Sequence, residues 1–284
     1  MSATPTVLLE TDGPVATVVL HRPHRHNAWT GRMHAEYRAA MAEIEAATSV
    51  RAVVVTGTPP AFSVGGDSDA LAGHATKGGY DTGLTDAVAM PGHGVRPEFD
   101  DDFAWQYGMP VPIIAAVNGA CAGIALALVC ACDLRFGAAP AKLTTAAPKL
   151  GIPAEYGLSW TLPRLVGTTR AADLLLSGRI VTVAETADWG LWNDVADDGD
   201  DCLARAHAYA HRLATTVGPN AAATTKRQLY DDLLRADPAA STAGSKRLMD
   251  LAMGTAEYRE GVAALREERA PRFDDRAGPH RHRD

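Results

Sequence analysis

The sequence predicts an α/β protein in which strands alternate with helices before the chain ends in helices alone. Three observations carry this. Apolar runs of strand length at 15–20, 52–56 and 113–117 are each bounded by turn residues. Stretches with helical spacing or a long apolar run come after each of them. From Cys202 to the C-terminal tail, every segment reads as helix.

Taken in order, VATVVL (15–20) follows the turn Asp12-Gly13-Pro14 and is rich in β-branched residues, hence a strand. HRPHRHNAW is a loop. Residues 30–47 place Met33, Tyr37, Met41 and Ile44 on one helical face. A buried strand at 52–56 ends at Gly57, and the turn-rich TGTPPAFSVGGD leads to a helix start at 67–71. Residues 72–106 are rich in Gly, Pro, Asp and His without periodicity, so they read as a long loop, part of it mobile enough to gate a pocket. The central stretch is 112–133, PIIAAVNGACAGIALALVCACD, a strand at 113–117 joined to a charge-free helix at 123–131. A short strand at 134–136 comes next, then a turn-rich segment at 145–157. Helices are expected at 159–165, 170–176, 202–217, 221–235, 241–253 and 257–270.

Composition narrows the class. With 284 residues and 46% hydrophobic content, the chain can bury a large core. A net charge of −7 without a basic stripe makes nucleic acid an unexpected partner. No apolar run reaches the ~18–20 residues of a membrane span, and the N-terminus has no signal-peptide pattern. Cys121, Cys130, Cys132 and Cys202 have no CxxC spacing and read as buried free thiols. A cytoplasmic protein is expected. His207 and His211 have a metal-ligand spacing on a helix, but no HExxH or third ligand accompanies them, so no metal is expected. Glu98 to Asp102 reads as a solvated acidic face, and Trp189 and Trp192 as core residues.

Two glycine-bearing junctions, SVGGD (63–67) and GACAGI (119–124), each join a strand to a helix. Neither is a GxGxxG or Walker loop. Brought together, they aim two backbone amides at one oxygen, the form of an oxyanion hole.

The order of these landmarks resembles the crotonase superfamily of enoyl-CoA hydratases and isomerases. The matching pieces are VATVVLHRPHRHNAW, VRAVVVTGTPPAFSVGGDSDAL, PIIAAVNGACAGIAL with CDLRF, KLGIPAEYGLSWTLPRLVG and EYREGVAALREERAPRF. The resemblance implies a spiral of ββα units over 1–200. It also implies a helical region at 201–284 used in trimerisation and in covering the site, giving a homotrimer or dimer of trimers. It implies an acyl-CoA thioester as substrate and no other cofactor. By motif position, the oxyanion amides belong to Gly66 and Ile124, the latter where the family usually has glycine. CoA and substrate contacts fall on Arg25, His26, Ala28, Val64, Asp67, Ser68 and Phe273. For Asp67, capping the next helix is the competing role.

The acids depart from the family pattern. Its hydratases hold water between two glutamates, and those positions are Ala127 and Ala147 here. Alanine neither takes a proton from water nor protonates the α-carbon. Glu155, four residues after Gly151, matches the catalytic Asp or Glu of several family isomerases. One carboxylate suffices to move a double bond, because the proton it removes from one carbon is returned to another. A loop glutamate, solvated or paired with Arg164, is the alternative. The reading is therefore an enoyl-CoA isomerase using Glu155. The alternatives are a non-standard hydratase, an acyl-CoA-binding member without catalysis, and thioester hydrolysis or C–C cleavage by an acid of the long loop.

Overall fold

The computed structural model describes residues 4–79, 84 and 87–278. β1 (Val7–Asp12) and β2 (Val15–Leu20) form an antiparallel hairpin. α1 (Gly31–Ala46) is next, with Thr30 as its cap accepting from the Met33 amide. Met33, Tyr37, Met41 and Ile44 are all buried, as their spacing predicts.

The chain then repeats one unit: a strand for a large sheet, a short strand for a small sheet, and a helix. The first unit is β3 (Ala52–Gly57), β4 (Ala61–Ser63) and α2 (Ser68–Lys77). The second is β5 (Ile113–Val117), β6 (Ala120–Ala122) and α3 (Ile124–Ala131). The third is β7 (Leu134–Ala138), β8 (Lys142–Thr144), then α4 (Leu158–Val166) and α5 (Thr168–Ser177). β9 (Val181–Thr182) and β10 (Asp194–Ala196) close the two sheets. The large sheet runs β1-β2-β3-β5-β7-β10, parallel from β2 onward. The small sheet runs β4-β6-β8-β9, with β8 and β9 antiparallel. Each unit thus advances one strand in both sheets, which is the expected spiral.

α6 (Gly199–Thr216) crosses the large sheet and buries Cys202, Ala206, Ala210 and Ala214 against it. The boundary expected at 200/201 falls inside this helix. α7 (Pro219–Leu233), α8 (Pro238–Met253) and α9 (Ala256–Arg266) extend beyond it. One buried carboxylate ties α7 to the sheet. Asp133 accepts from Lys226 Nζ at 2.7 Å, from the Tyr230 hydroxyl at 2.7 Å and from the Ile113 amide at 2.7 Å. Buried Arg276 returns the C-terminal tail to the core by donating to the carbonyls of Ile44, Glu45, Ala47 and Val50.

Two expectations need correction. Residues 72–106 are not one long loop. α2 runs on to Lys77, 3₁₀ turns occupy Pro97–Phe99 and Ala104–Gly108, and Val95, Phe99, Phe103 and Trp105 are buried. The apolar anchors are there, hidden among acids and glycines; residues 80–83 and 85–86 of the segment lie outside the described residues. Nor is Glu98 to Asp102 simply a solvated face. Asp102 lies 3.1 Å from His34 Nε2 and 3.2 Å from Arg38 Nη1, and Asp100 accepts from the Gly94 amide. Burial raises the Asp102 carboxyl, but His34, Arg38 and His93 more than offset it and hold it below the usual carboxylate range. Trp189 and Trp192 are partly buried against the core. The four cysteines are buried free thiols whose burial pushes their pKa values up. Among the described residues, no helix is long and apolar enough to cross a membrane, and no group of three or more His, Cys, Asp or Glu is placed to hold a metal.

Candidate active site

The two glycine junctions meet because β4 and β6 are parallel neighbours, with Ala61 beside Ala120 and Ser63 beside Cys121. The residues leaving the two strands therefore run side by side. The approach is close enough that a Cβ on Gly65 would stand 2.9 Å from the Ala122 carbonyl oxygen. Gly65 also has φ of +88°, which an L side chain rarely tolerates.

The first junction is fixed from outside by the loop after β2. Buried Asn27 donates to the carbonyls of Thr58, Ala61 and Phe62, so the loop runs along β4. Trp29 then donates to the Gly65 carbonyl at 2.7 Å and accepts from the Asp67 amide at 2.9 Å. These bonds use the groups on either side of Gly66 and leave its own amide without an acceptor among the described residues. At the second junction, Ile124 is the first residue of α3. Its amide lies in the first helical turn, where no intrahelical carbonyl precedes it, and it too donates to no described group. The isoleucine side chain is buried and leaves this amide in place.

Glu155 completes the arrangement. Gly123 (φ +52°) precedes α3, and a Cβ there would stand 3.3 Å from Glu155 Oε2. The carboxylate therefore rests against the backbone that presents the Ile124 amide. It has no ion pair to Arg164, whose guanidinium instead lies 3.9 Å over the Trp160 ring. Half-burial without a compensating cation raises the Glu155 pKa. Ala127 and Ala147 are both buried, and neither side chain carries an acid.

Glu155 also lines a cavity of about 930 Å³, with aromatic and apolar walls from residues 98–107, 152–157, α4 and Leu234. Its size suits an acyl group.

The remaining predicted residues divide in two. Arg25, His26, Ala28, Val64, Asp67 and Ser68 gather around the Gly66 junction through the Asn27 and Trp29 bonds. Arg25 Nη2 lies 3.2 Å from Asp67 Oδ1, 3.0 Å from Ser68 Oγ and 3.3 Å from Asp69 Oδ2. Asp67 caps α2 through the Asp69 amide and also pairs with Arg22 at 3.0 Å. Phe273 is not brought there within one chain; it lines a separate cavity of about 620 Å³ with Pro14, Arg51 and Ala214. Sequence reasoning missed Asn27, Trp29 and the ring residues of the cavity. Asn27, two residues before the aromatic Trp29 and three before the Thr30 cap, is the local hint.

Comparison with known proteins assigns the fold and the family. A probable enoyl-CoA hydratase/isomerase from Mycobacterium abscessus, a solved structure, superposes with a TM-score of 0.83 at 30% identity, covering 95% of this chain and 99% of its own. A probable enoyl-CoA hydratase of Mycobacterium tuberculosis is 33% identical over 277 residues, 95% of this chain and 93% of that protein. The 1,2-epoxyphenylacetyl-CoA isomerase of Escherichia coli is 30% identical over 278 residues, 94% of this chain and 97% of that protein. The fold is that of a crotonase-superfamily protein. The model of the enoyl-CoA hydratase/isomerase family matches residues 10–276, and the chain belongs to that family. It is an enoyl-CoA hydratase/isomerase-like enzyme of acyl-CoA metabolism.

Proposed function

We propose that the protein moves the double bond of an enoyl-CoA, with Glu155 as the one acid/base and the Gly66 and Ile124 amides as the oxyanion hole. The observation that carries this is the place of Glu155: its carboxylate lies against the α3 junction, and the same residue lines the cavity. The carboxylate takes a proton from one carbon of the acyl chain. The thioester oxygen gains charge and is held by the two amides. The carboxylic acid then returns the proton to another carbon, so the net change is a shift of the C=C bond. No cofactor beyond the CoA of the substrate enters. Ordinary hydration uses a pair of acid/base groups on the water, and Ala127 and Ala147 cannot supply them.

Arg25, held half-exposed beside Ser68, is positioned to meet a CoA phosphate, with His26, Ala28 and Val64 along the same edge. Phe273 acts only if a neighbouring subunit presents it. The exposed apolar side chains of α7 to α9 support a homotrimer or dimer of trimers. A panel of enoyl-CoA thioesters followed by mass spectrometry tests the reaction. Products should keep the substrate mass. Products heavier by one water would contradict the proposal, and tight binding without conversion would favour a non-catalytic binding protein.

A further inference from the structure

The chain has only five Phe, seven Tyr and five Trp, yet five of these rings wall the cavity beside Glu155: Phe99, Phe103, Tyr107, Tyr156 and Trp160. They come from separate stretches and engage one another at tilted angles. Phe103 and Tyr156 lie 5.5 Å apart at 54°, Phe99 and Tyr107 5.8 Å at 74°, and Tyr107 and Trp160 6.3 Å at 48°. A second layer holds them from behind. His34 stacks on Phe103 at 5.6 Å, Trp29 meets it edge-on at 5.8 Å, and Tyr230 stacks on Tyr107 at 4.0 Å. Phe103 (φ +58°) and Tyr156 (φ +44°) both adopt a left-handed backbone that non-glycine residues rarely take. Such strain persists where the surroundings hold it, and it gathers at functional sites. The ring wall is thus fixed before any ligand arrives.

Glu98, Asp101, Asp102 and Glu155 line the cavity. Arg96 pairs with Glu98, and His34 and Arg38 with Asp102, while Asp101 and Glu155 have no ion pair among the described residues. An acyl group ending in a carboxylate meets repulsion there.

We infer that the acyl group this site takes carries an uncharged planar aromatic ring. The inference rests on the reading of the site as a thioester site and names its substrate class. A straight alkyl chain buries apolar area as a ring does. A planar ring additionally meets the wall edge-to-face or offset, at the 4.5–7 Å centroid spacing that aromatic pairs favour. One such contact is worth up to about tenfold in affinity.

The test uses unreactive saturated thioesters, so that it is independent of the double-bond chemistry. Phenylbutyryl-CoA, decanoyl-CoA and the CoA monoester of decanedioic acid are titrated calorimetrically into the full-length protein. The expected order is phenylbutyryl-CoA tightest, by about tenfold over decanoyl-CoA, with the carboxylate-ended ester weakest. In Trp160→Leu, shown to be folded by circular dichroism, both esters lose apolar contact but the ratio of phenylbutyryl-CoA to decanoyl-CoA affinity should shrink several-fold. Decanoyl-CoA binding as tightly as phenylbutyryl-CoA to the wild type overturns the inference. So does tight binding of the carboxylate-ended ester. If the ring preference fails but enoyl-CoA isomerisation is observed, the reaction stands and only the substrate class falls. If none of the three esters binds, both fall.

Discussion

Two carboxylates beside the amide junctions are tuned in opposite directions, and their surroundings give each its role. Asp67 is buried, which raises its pKa, but the Asp69 amide and then Arg22 and Arg25 more than offset this and hold it low. It stays ionised as a cap and a clamp. Glu155 has burial alone and is pushed up. A base must be deprotonated, so kcat/KM should rise with pH through the Glu155 pKa, with its acid limb displaced above the ordinary carboxylate range. Stability has the opposite sign. Between the unfolded and the raised folded pKa, the native state binds more protons, so Glu155 costs stability as pH rises through that window and the loss then stays constant. Glu155→Gln should therefore be at least as stable as wild type at pH 7 by thermal unfolding, with the difference shrinking toward pH 4. A variant less stable at pH 7 than at pH 4, relative to wild type, would contradict the assignment.

At the scale of elements, α7 is attached to the sheet through Asp133, and both partners of that ion pair are nearly fully buried. Asp133→Ala leaves the Lys226 ammonium buried with only the Val111 carbonyl. Removing one member of a buried pair typically costs ~3–5 kcal/mol. Urea unfolding should show a loss of that order, and a loss under about 1 kcal/mol would mean that α7 is held by other contacts. The elements legible in the sequence were those long enough to carry a period: β2, β3, β5, α1 and the helices from α4 to α9 all stand within a few residues of their expected places. β4, β6 and β8 have three residues each, too few for an alternation to register. Yet these strands bring the glycine junctions together. The junction residues themselves, Gly66, Ile124 and Glu155, were found by motif position, since what joins them is strand pairing across the fold. Residues 97–108 were misread for another reason. Asp102 answers to His34 and Arg38 on α1, and the rings to a cavity built from distant segments, so no local pattern marked them.

At the scale of the molecule, the last helices leave large apolar side chains exposed. Leu229, Leu251 and Leu265 are 56%, 72% and 79% exposed in the single chain. Light scattering at micromolar concentration should give a trimer or a multiple of it, and a monomer would contradict the assembly. The convergence of amide junctions, carboxylate and cavity is tested most directly by Glu155→Gln, assayed for enoyl-CoA isomerisation alongside its affinity for a saturated acyl-CoA. The oxyanion donors and cavity are untouched by this substitution, so affinity should hold within about twofold while turnover falls by ~10²–10⁴. Turnover in Glu155→Gln equal to that of an active wild type would contradict the account.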